Sequence, residues 1–190
     1  MPKKVLVIEC SLRKNSNTDD LAESFAKGAA EAGNEVEIVS LKGKKIGFCN
    51  GCLACQQTGK CNIKDDANAI VSEIKDADVV VWATPVYYYC VSGQMKTLID
   101  RTNPLYGQDI RVHDVYLILA AEDSDSTHAV AGAMKALIGW IECMPGTKLI
   151  KTICATSTSE AGAAMESSAY QQCYLEGKTV GGGPSDQLTE

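Results

Sequence analysis

Three short runs of almost unbroken apolar residues, KVLVIEC (4–10), DVVVWAT (78–84) and VYLILAA (115–121), constrain this chain more than any other feature. A strand that alternates polar and apolar residues has one wet face. A strand this uniformly apolar is buried on both faces, the condition met in a parallel sheet covered by helices on each side. Two further β-type runs, EVEIVS (35–40) and LIKTICA (149–155), complete a set of five. Helical segments separate them. Over 18–32, Leu21, Ala22, Phe25, Ala26 and Ala29 form one apolar face. Asn17 or Thr18 is the expected N-cap, Asp19 and Asp20 fill the first turn, and Gly33 ends the helix. Further helices are expected over 66–76 from Asp65 or Asp66, over 92–102 from Ser92, over 126–142 and over 159–176. Strict alternation of strand and helix predicts a doubly wound α/β sandwich. The expected domain is 1–178, and GGGPSDQLTE within 179–190 has the composition of a disordered tail.

Composition narrows the function. The formal net charge of -6 argues against nucleic acid as a partner. No apolar run reaches the roughly 20 residues of a membrane span. The basic and then apolar start, MPKKVLVIEC, has too short an apolar stretch for a secretory signal and reads as the first strand, so a cytoplasmic protein is expected. Nine cysteines in 190 residues fall below the roughly 8–10% of a disulfide scaffold. Cys10, Cys90, Cys143, Cys154 and Cys173 stand singly and read as small buried hydrophobes.

Two loops carry chemistry. In a doubly wound sheet, ligands bind beyond the carboxyl ends of the strands. SLRKNSNT (11–18) follows the first strand and opens the first helix, whose free N–H groups favour an anion. Ser11, Ser16 and Thr18 offer hydroxyls, Asn17 an amide and Arg13 a permanent charge. The loop is either a polar turn with an N-cap or a site for a phosphate monoester, with Asp19 and Asp20 placing opposing charge nearby. TPVYYYCVSGQMKTLIDR (84–101) follows the third strand, and Pro85 stiffens its exit. Tyr87, Tyr88 and Tyr89 either pack against protein or cover a planar cofactor ring.

A loop of the form S-x-R-x-x-[SG]-N-T together with P-V-Y-Y-x-x-x-S-x-Q-M-K-x-x-I-D-R resembles the NADPH-dependent FMN reductase family of flavodoxin-like proteins. The resemblance covers most of 4–177. It implies a five-stranded parallel sheet of order 2-1-3-4-5 in a flavodoxin-like three-layer sandwich. It implies an FMN-dependent oxidoreductase that accepts electrons from NAD(P)H and passes them to a flavin, a quinone or another small acceptor. The alternatives are an iron–sulfur flavoprotein and a flavodoxin-type electron-transfer protein. By the resemblance Ser11, Arg13, Ser16, Asn17 and Thr18 hold the FMN phosphate, and Pro85, Val86, Tyr87, Tyr88 and Tyr89 contact the isoalloxazine. A homodimer is implied, with the ring near the subunit interface. This chain has Cys10-Ser11-Leu12-Arg13 where the family usually has Gly-Ser-Pro-Arg. Its third loop, AAEDSDSTH (120–128), is acidic and lacks the usual glycines, so no residue of it is assigned to the site, and His128 reads as a solvated histidine.

FCNGCLACQQTGKC places Cys49, Cys52, Cys55 and Cys61 at C-x2-C-x2-C-x5-C. The first three repeat as in a ferredoxin cluster loop. The spacing resembles that of the iron–sulfur flavoproteins, which carry a 4Fe–4S cluster near FMN. Cluster-free reductases share the segment and the acidic pair Asp65 and Asp66 that follows it. Free thiols or a redox-active pair, a 4Fe–4S cluster and structural zinc all remain open for these four residues, with zinc the weakest because zinc-site pairs are usually further apart.

Overall fold

The computed structural model describes residues 1–181. In chain order the elements are β1 (Lys4–Glu9), α1 (Asn17–Glu31), β2 (Glu35–Ser40), the short α2 (Ala54–Thr58), α3 (Ala67–Asp76), β3 (Val79–Tyr87), β4 (Cys90–Val91), α4 (Gly93–Arg101), β5 (Asp114–Ala120), α5 (Ser126–Glu142), β6 (Lys148–Ala155) and α6 (Ser168–Thr179). Five strands pair in parallel in the order β2-β1-β3-β5-β6, and the two-residue β4 pairs antiparallel with the end of β3. With β4 set aside this is the expected 2-1-3-4-5 sheet.

The physical reason is visible along β1. Val5 and Val7 point into one core with Phe25 of α1 and Cys173 of α6, while Leu6 and Ile8 point into the other with Ile70, Trp82 and Leu98. Alternate residues of one strand thus feed two cores, so both parities must be apolar. Trp82 of β3 meets Trp140 of α5 edge-on at 5.7 Å between ring centroids, and Trp140 Nε1 donates to Thr102 Oγ1 at 2.8 Å.

Some expectations are corrected. The last helix begins at Ser168, nine residues later than expected, because the preceding stretch turns through Gly162 at φ 83 and lends its carbonyls to the first loop. The N-cap of α1 is Ser16, not Asn17 or Thr18: its side chain accepts Asp19 N–H, and Asp19 answers by accepting Ser16 N–H. Among the single cysteines, Cys10 and Cys173 are buried, Cys90 and Cys154 half-buried, and Cys143 exposed at the end of α5. Of the expected tail 179–190, Thr179 instead closes α6 and Val180 is buried in the α1/α6 core, while 182–190 lie outside the described residues. No helix among the described residues is long and apolar enough to cross a membrane.

Candidate functional site

At the carboxyl ends of the parallel strands, the loops after β1, β3, β5 and β6 enclose a cavity of about 240 Å³. The first loop contributes Ser11, Arg13, Ser16, Asn17 and Thr18, and the second contributes Pro85, Val86 and Tyr87. Tyr88 and Tyr89 line an adjoining cavity of about 490 Å³, which shares Val86 and Glu122 with the first. The structure adds Ala120, Glu122, Thr158 and Ser159 to the walls. Glu122 lies in the acidic third loop, which yielded no site residue from sequence. Ser159 lies where a helix was expected, and Thr158 just before it.

The first loop is built as an anion cradle whose frame is fixed from behind. Asn15 takes a left-handed conformation, φ 52, to turn the chain into α1. Ser16 accepts the N–H groups of Asp19 and Asp20, at its side chain or its carbonyl. Among the described residues no protein acceptor takes those of Asn17 and Thr18, the first two helical positions. The Asn17 side chain is itself structural: Nδ2 donates to Thr158 O at 2.8 Å and Glu160 O at 2.7 Å, and Oδ1 accepts Ala164 N–H. Arg13 is mostly exposed and donates through Nη1 to Ser159 O at 2.9 Å, which holds its guanidinium over the mouth. Asp19 does not act as a bare opposing charge. Although burial works against its ionised form, its contact with Lys42 keeps the carboxyl below the ordinary 3.8.

The second loop is a two-residue hairpin. Tyr87 pairs with Cys90, leaving Tyr88 (φ 49) and Tyr89 (φ 59) as the turn, both left-handed. Such a turn is ordinarily Asn-Gly, and each non-glycine residue there costs about 1–2 kcal/mol. The strain is held by packing. Tyr89 O sits where a side chain on Gly132 would begin, 2.1 Å from an added Cβ, and the Tyr89 ring stacks on His128 at 3.9 Å. His128 Nδ1 in turn lies 3.4 Å from Asp123 Oδ2. His128 is therefore a packing partner of the tyrosine turn, half of its surface still wet. Ser92, Gln94, Met95, Ile99 and Arg101 of the second motif prove to be its supports. Ser92 caps α4 and bonds Thr84, Gln94 Nε2 donates to Cys10 O at 2.6 Å, and Met95 and Ile99 enter the core.

Arg101, its side chain fully buried, fastens the cysteine segment. It grips Asp65 in a two-pronged pair (2.6 and 2.9 Å) and donates to Gly47 O and Ile63 O. Within that segment Cys49 and Cys52 are exposed and Cys61 is half-buried. Cys55 is buried, with Asn103 Nδ2 donating to its sulfur at 3.3 Å. Among the described residues no three Cys, His, Asp or Glu side chains converge as metal ligands, the four clustered cysteines included.

The family model described as NADPH-dependent FMN reductase matches residues 3–126. An iron-sulfur flavoprotein of Methanocaldococcus jannaschii is 41% identical over 102 residues, 54% of this chain and 53% of that protein. A putative NAD(P)H-dependent FMN-containing oxidoreductase of Bacillus subtilis is 30% identical over 129 residues, 64% of this chain and 68% of that one. The chain spans about half the length of the iron–sulfur flavoproteins it matches. Among solved structures, the NAD(P)H:quinone oxidoreductase from Methanothermobacter marburgensis superposes with a TM-score of 0.77 at 13% identity, covering 97% of this chain and 98% of that one. At that identity the likeness is one of fold.

Proposed function

The chain belongs to the NADPH-dependent FMN reductase family, and we propose that it is an FMN-dependent oxidoreductase that takes electrons from NAD(P)H and passes them to a flavin, a quinone or another small acceptor. The observation that carries this reading is the polarity of the cleft. One end has the amino end of α1, three hydroxyl residues and Arg13; the other has the Pro85–Tyr87 strand end and the tyrosine turn. A mononucleotide has the same polarity, an anion at one end and a flat ring at the other, so the residues fit FMN.

FMN would supply the hydride and single-electron chemistry. The chain's part is binding and orientation. The Asn17 and Thr18 N–H groups, with Arg13, would fix the phosphate. The backbone from Pro85 to Tyr87 would run along the ring, and the braced turn at Tyr88 and Tyr89 would shield it from water. We assign no proton-transfer residue to this chain. Tyr87, Tyr88 and Tyr89 are about half to fully exposed, which favours a homodimer that covers them; sedimentation of the purified chain tests this.

Similarity to proteins named iron-sulfur flavoprotein favours a second reading, a 4Fe–4S cluster on Cys49, Cys52, Cys55 and Cys61. The thiols as arranged do not fit that group, so no electron-transfer step is drawn through it. That reading commits the segment from Gly47 to Cys61 to rearrange on loading, and about four irons per chain after anaerobic purification would establish it.

The decisive experiment is Arg13→Ala. A charge-assisted hydrogen bond is worth about 1.5–3 kcal/mol, so FMN should bind about ten- to a hundredfold more weakly, with riboflavin little affected. Unchanged FMN affinity refutes the phosphate site. A flavin-loaded protein that fails to oxidise NAD(P)H with any acceptor is an electron carrier instead.

A further inference from the structure

β1 ends on Glu9, a carboxyl group with 2% of its surface exposed at the point where the strand enters the first loop. Its Oε1 accepts Ser11 N–H at 2.7 Å, and its Oε2 accepts the Ser40 hydroxyl at 2.9 Å from the end of β2. Lys42 Nζ lies 3.6 Å from the same Oε2 and also pairs with Asp19. Asp19 accepts Ser16 N–H in the α1 capping box. Ser11 and Ser16 are both cleft walls. An internal carboxyl–ammonium–carboxyl set is therefore one hydrogen bond behind the cradle at two points.

The charge of this set depends on Glu9. With Glu9 neutral, Lys42 and Asp19 cancel. With Glu9 ionised, one net negative charge stands behind a loop that is to receive an anion. The other groups facing it do not reverse this. α1 adds Asp20, the residue after β1 adds the Cys10 thiol, and β3 presents uncharged Ala83 beside Glu9, while Arg13 is held over the mouth by Ser159 O. Neither state breaks the brace, since a neutral carboxyl still offers its carbonyl oxygen to Ser11 N–H.

We propose that Glu9 is a positioning residue whose protonation is coupled to mononucleotide binding, so that the phosphate and a proton are taken up together. The balance is simple: ionised site, proton and phosphate dianion give the neutral site with the dianion bound. This inference rests on the FMN reading above. Burial pushes the Glu9 carboxyl up to about 7, with Asp19 adding to the rise. Phosphate monoesters lose their second proton near about 6, so above neutrality Glu9 and not the ligand carries the pH dependence. A bound dianion raises the Glu9 pKa further. Affinity is therefore complete below the value of the empty site and falls as pH rises through it toward that of the filled site.

The test titrates the full chain, freed of flavin by dialysis, with FMN and separately with riboflavin. FMN should bind about tenfold more weakly at about pH 8.5 than at about pH 6.5, with riboflavin flat over that range. Calorimetry in buffers of different ionisation enthalpy should show a proton taken up with FMN near pH 8, a readout that needs no variant. Glu9→Gln keeps an oxygen for Ser11 N–H and should bind FMN with a flat profile. A flat wild-type profile without proton uptake, an equal slope for riboflavin, or an unchanged slope in Glu9→Gln overturns the proposal while leaving the FMN site in place. Failure to bind FMN at any pH overturns the functional reading and this inference with it.

Discussion

Arg101→Ala removes the buried partner of Asp65 and tests what holds the cysteine segment to the domain. The Arg101 side chain is 0% exposed and that of Asp65 10%. Removing one member of a buried ion pair costs about 3–5 kcal/mol, chiefly because the other charge is left uncompensated. Asp65 would keep two backbone donors, Gly47 N at 2.8 Å and Ala67 N at 3.1 Å. That places the loss at the lower end, about 3 kcal/mol, within the roughly 5–15 kcal/mol available to a domain of this kind. Urea unfolding at neutral pH measures it. A cycle with Asp65→Asn should show the double variant losing less than the two single losses together. The pH dependence has a definite sign. Arg101 holds the Asp65 carboxyl below the ordinary 3.8. A lowered carboxyl pKa stabilises fully above the unfolded-state value and is lost as pH falls toward the folded one, so the penalty should be level near neutrality and shrink below about pH 4. A loss under about 1 kcal/mol, or a penalty that grows on acidification, would refute the reasoning.

Tyr88→Gly should stabilise the fold by about 0.5–1 kcal/mol in the same assay, because Tyr88 is 101% exposed and strained at φ 49. Destabilisation would mean the turn is not strained. Gly132→Ala and Gly139→Ala lie on one helix and should diverge. An added Cβ meets Tyr89 O at 2.1 Å in the first and nothing within 4 Å in the second. Thermal melting should therefore fall for Gly132→Ala and rise, by about 0.5–1 kcal/mol of stability, for Gly139→Ala. Native thiol labelling followed by mass spectrometry should mark Cys49, Cys52 and Cys143 first. Cys173, its thiol pushed up by burial to about 12, and Cys10, buried and pushed well above 9.0, should react only on unfolding.

What could be read in advance divides along a physical line. Strands buried on both faces declare themselves locally, since every residue of Val5–Ile8, Val79–Ala83 and Val115–Ala120 answers to one core or the other; the strand order was legible only through the family resemblance. The tyrosine hairpin gave no such sign. Tyr-Tyr carries none of the glycine or asparagine that a left-handed turn usually requires, and contacts with α5 help to hold it there. The region 159–167 reads as the start of a helix because Glu160, Ala161, Ala163 and Ala164 are compatible with one. The carbonyls of Ser159 and Glu160 are instead drawn to Arg13 and Asn17, more than 140 residues earlier. Glu9 and Lys42 were missed for the same reason. A glutamate closing a strand and a lysine in a turn are unremarkable until folding sets them behind Ser11. Glu122 had a signal, the acidic run itself, but nothing local says that such a run faces a cleft.

One feature of α4 bears on how such a chain can change length. Gln94 grips the first loop and Arg101 grips the cysteine segment. They lie two turns apart on one stripe, separated by about 10 Å along the helix axis. A single inserted or deleted residue between them would rotate one grip by about 100° relative to the other, detaching either the cradle or the thiol loop. Evolutionary drift in length is therefore confined to the ends of α4, and a homologue with an indel inside it would need a different anchor for one of the two loops.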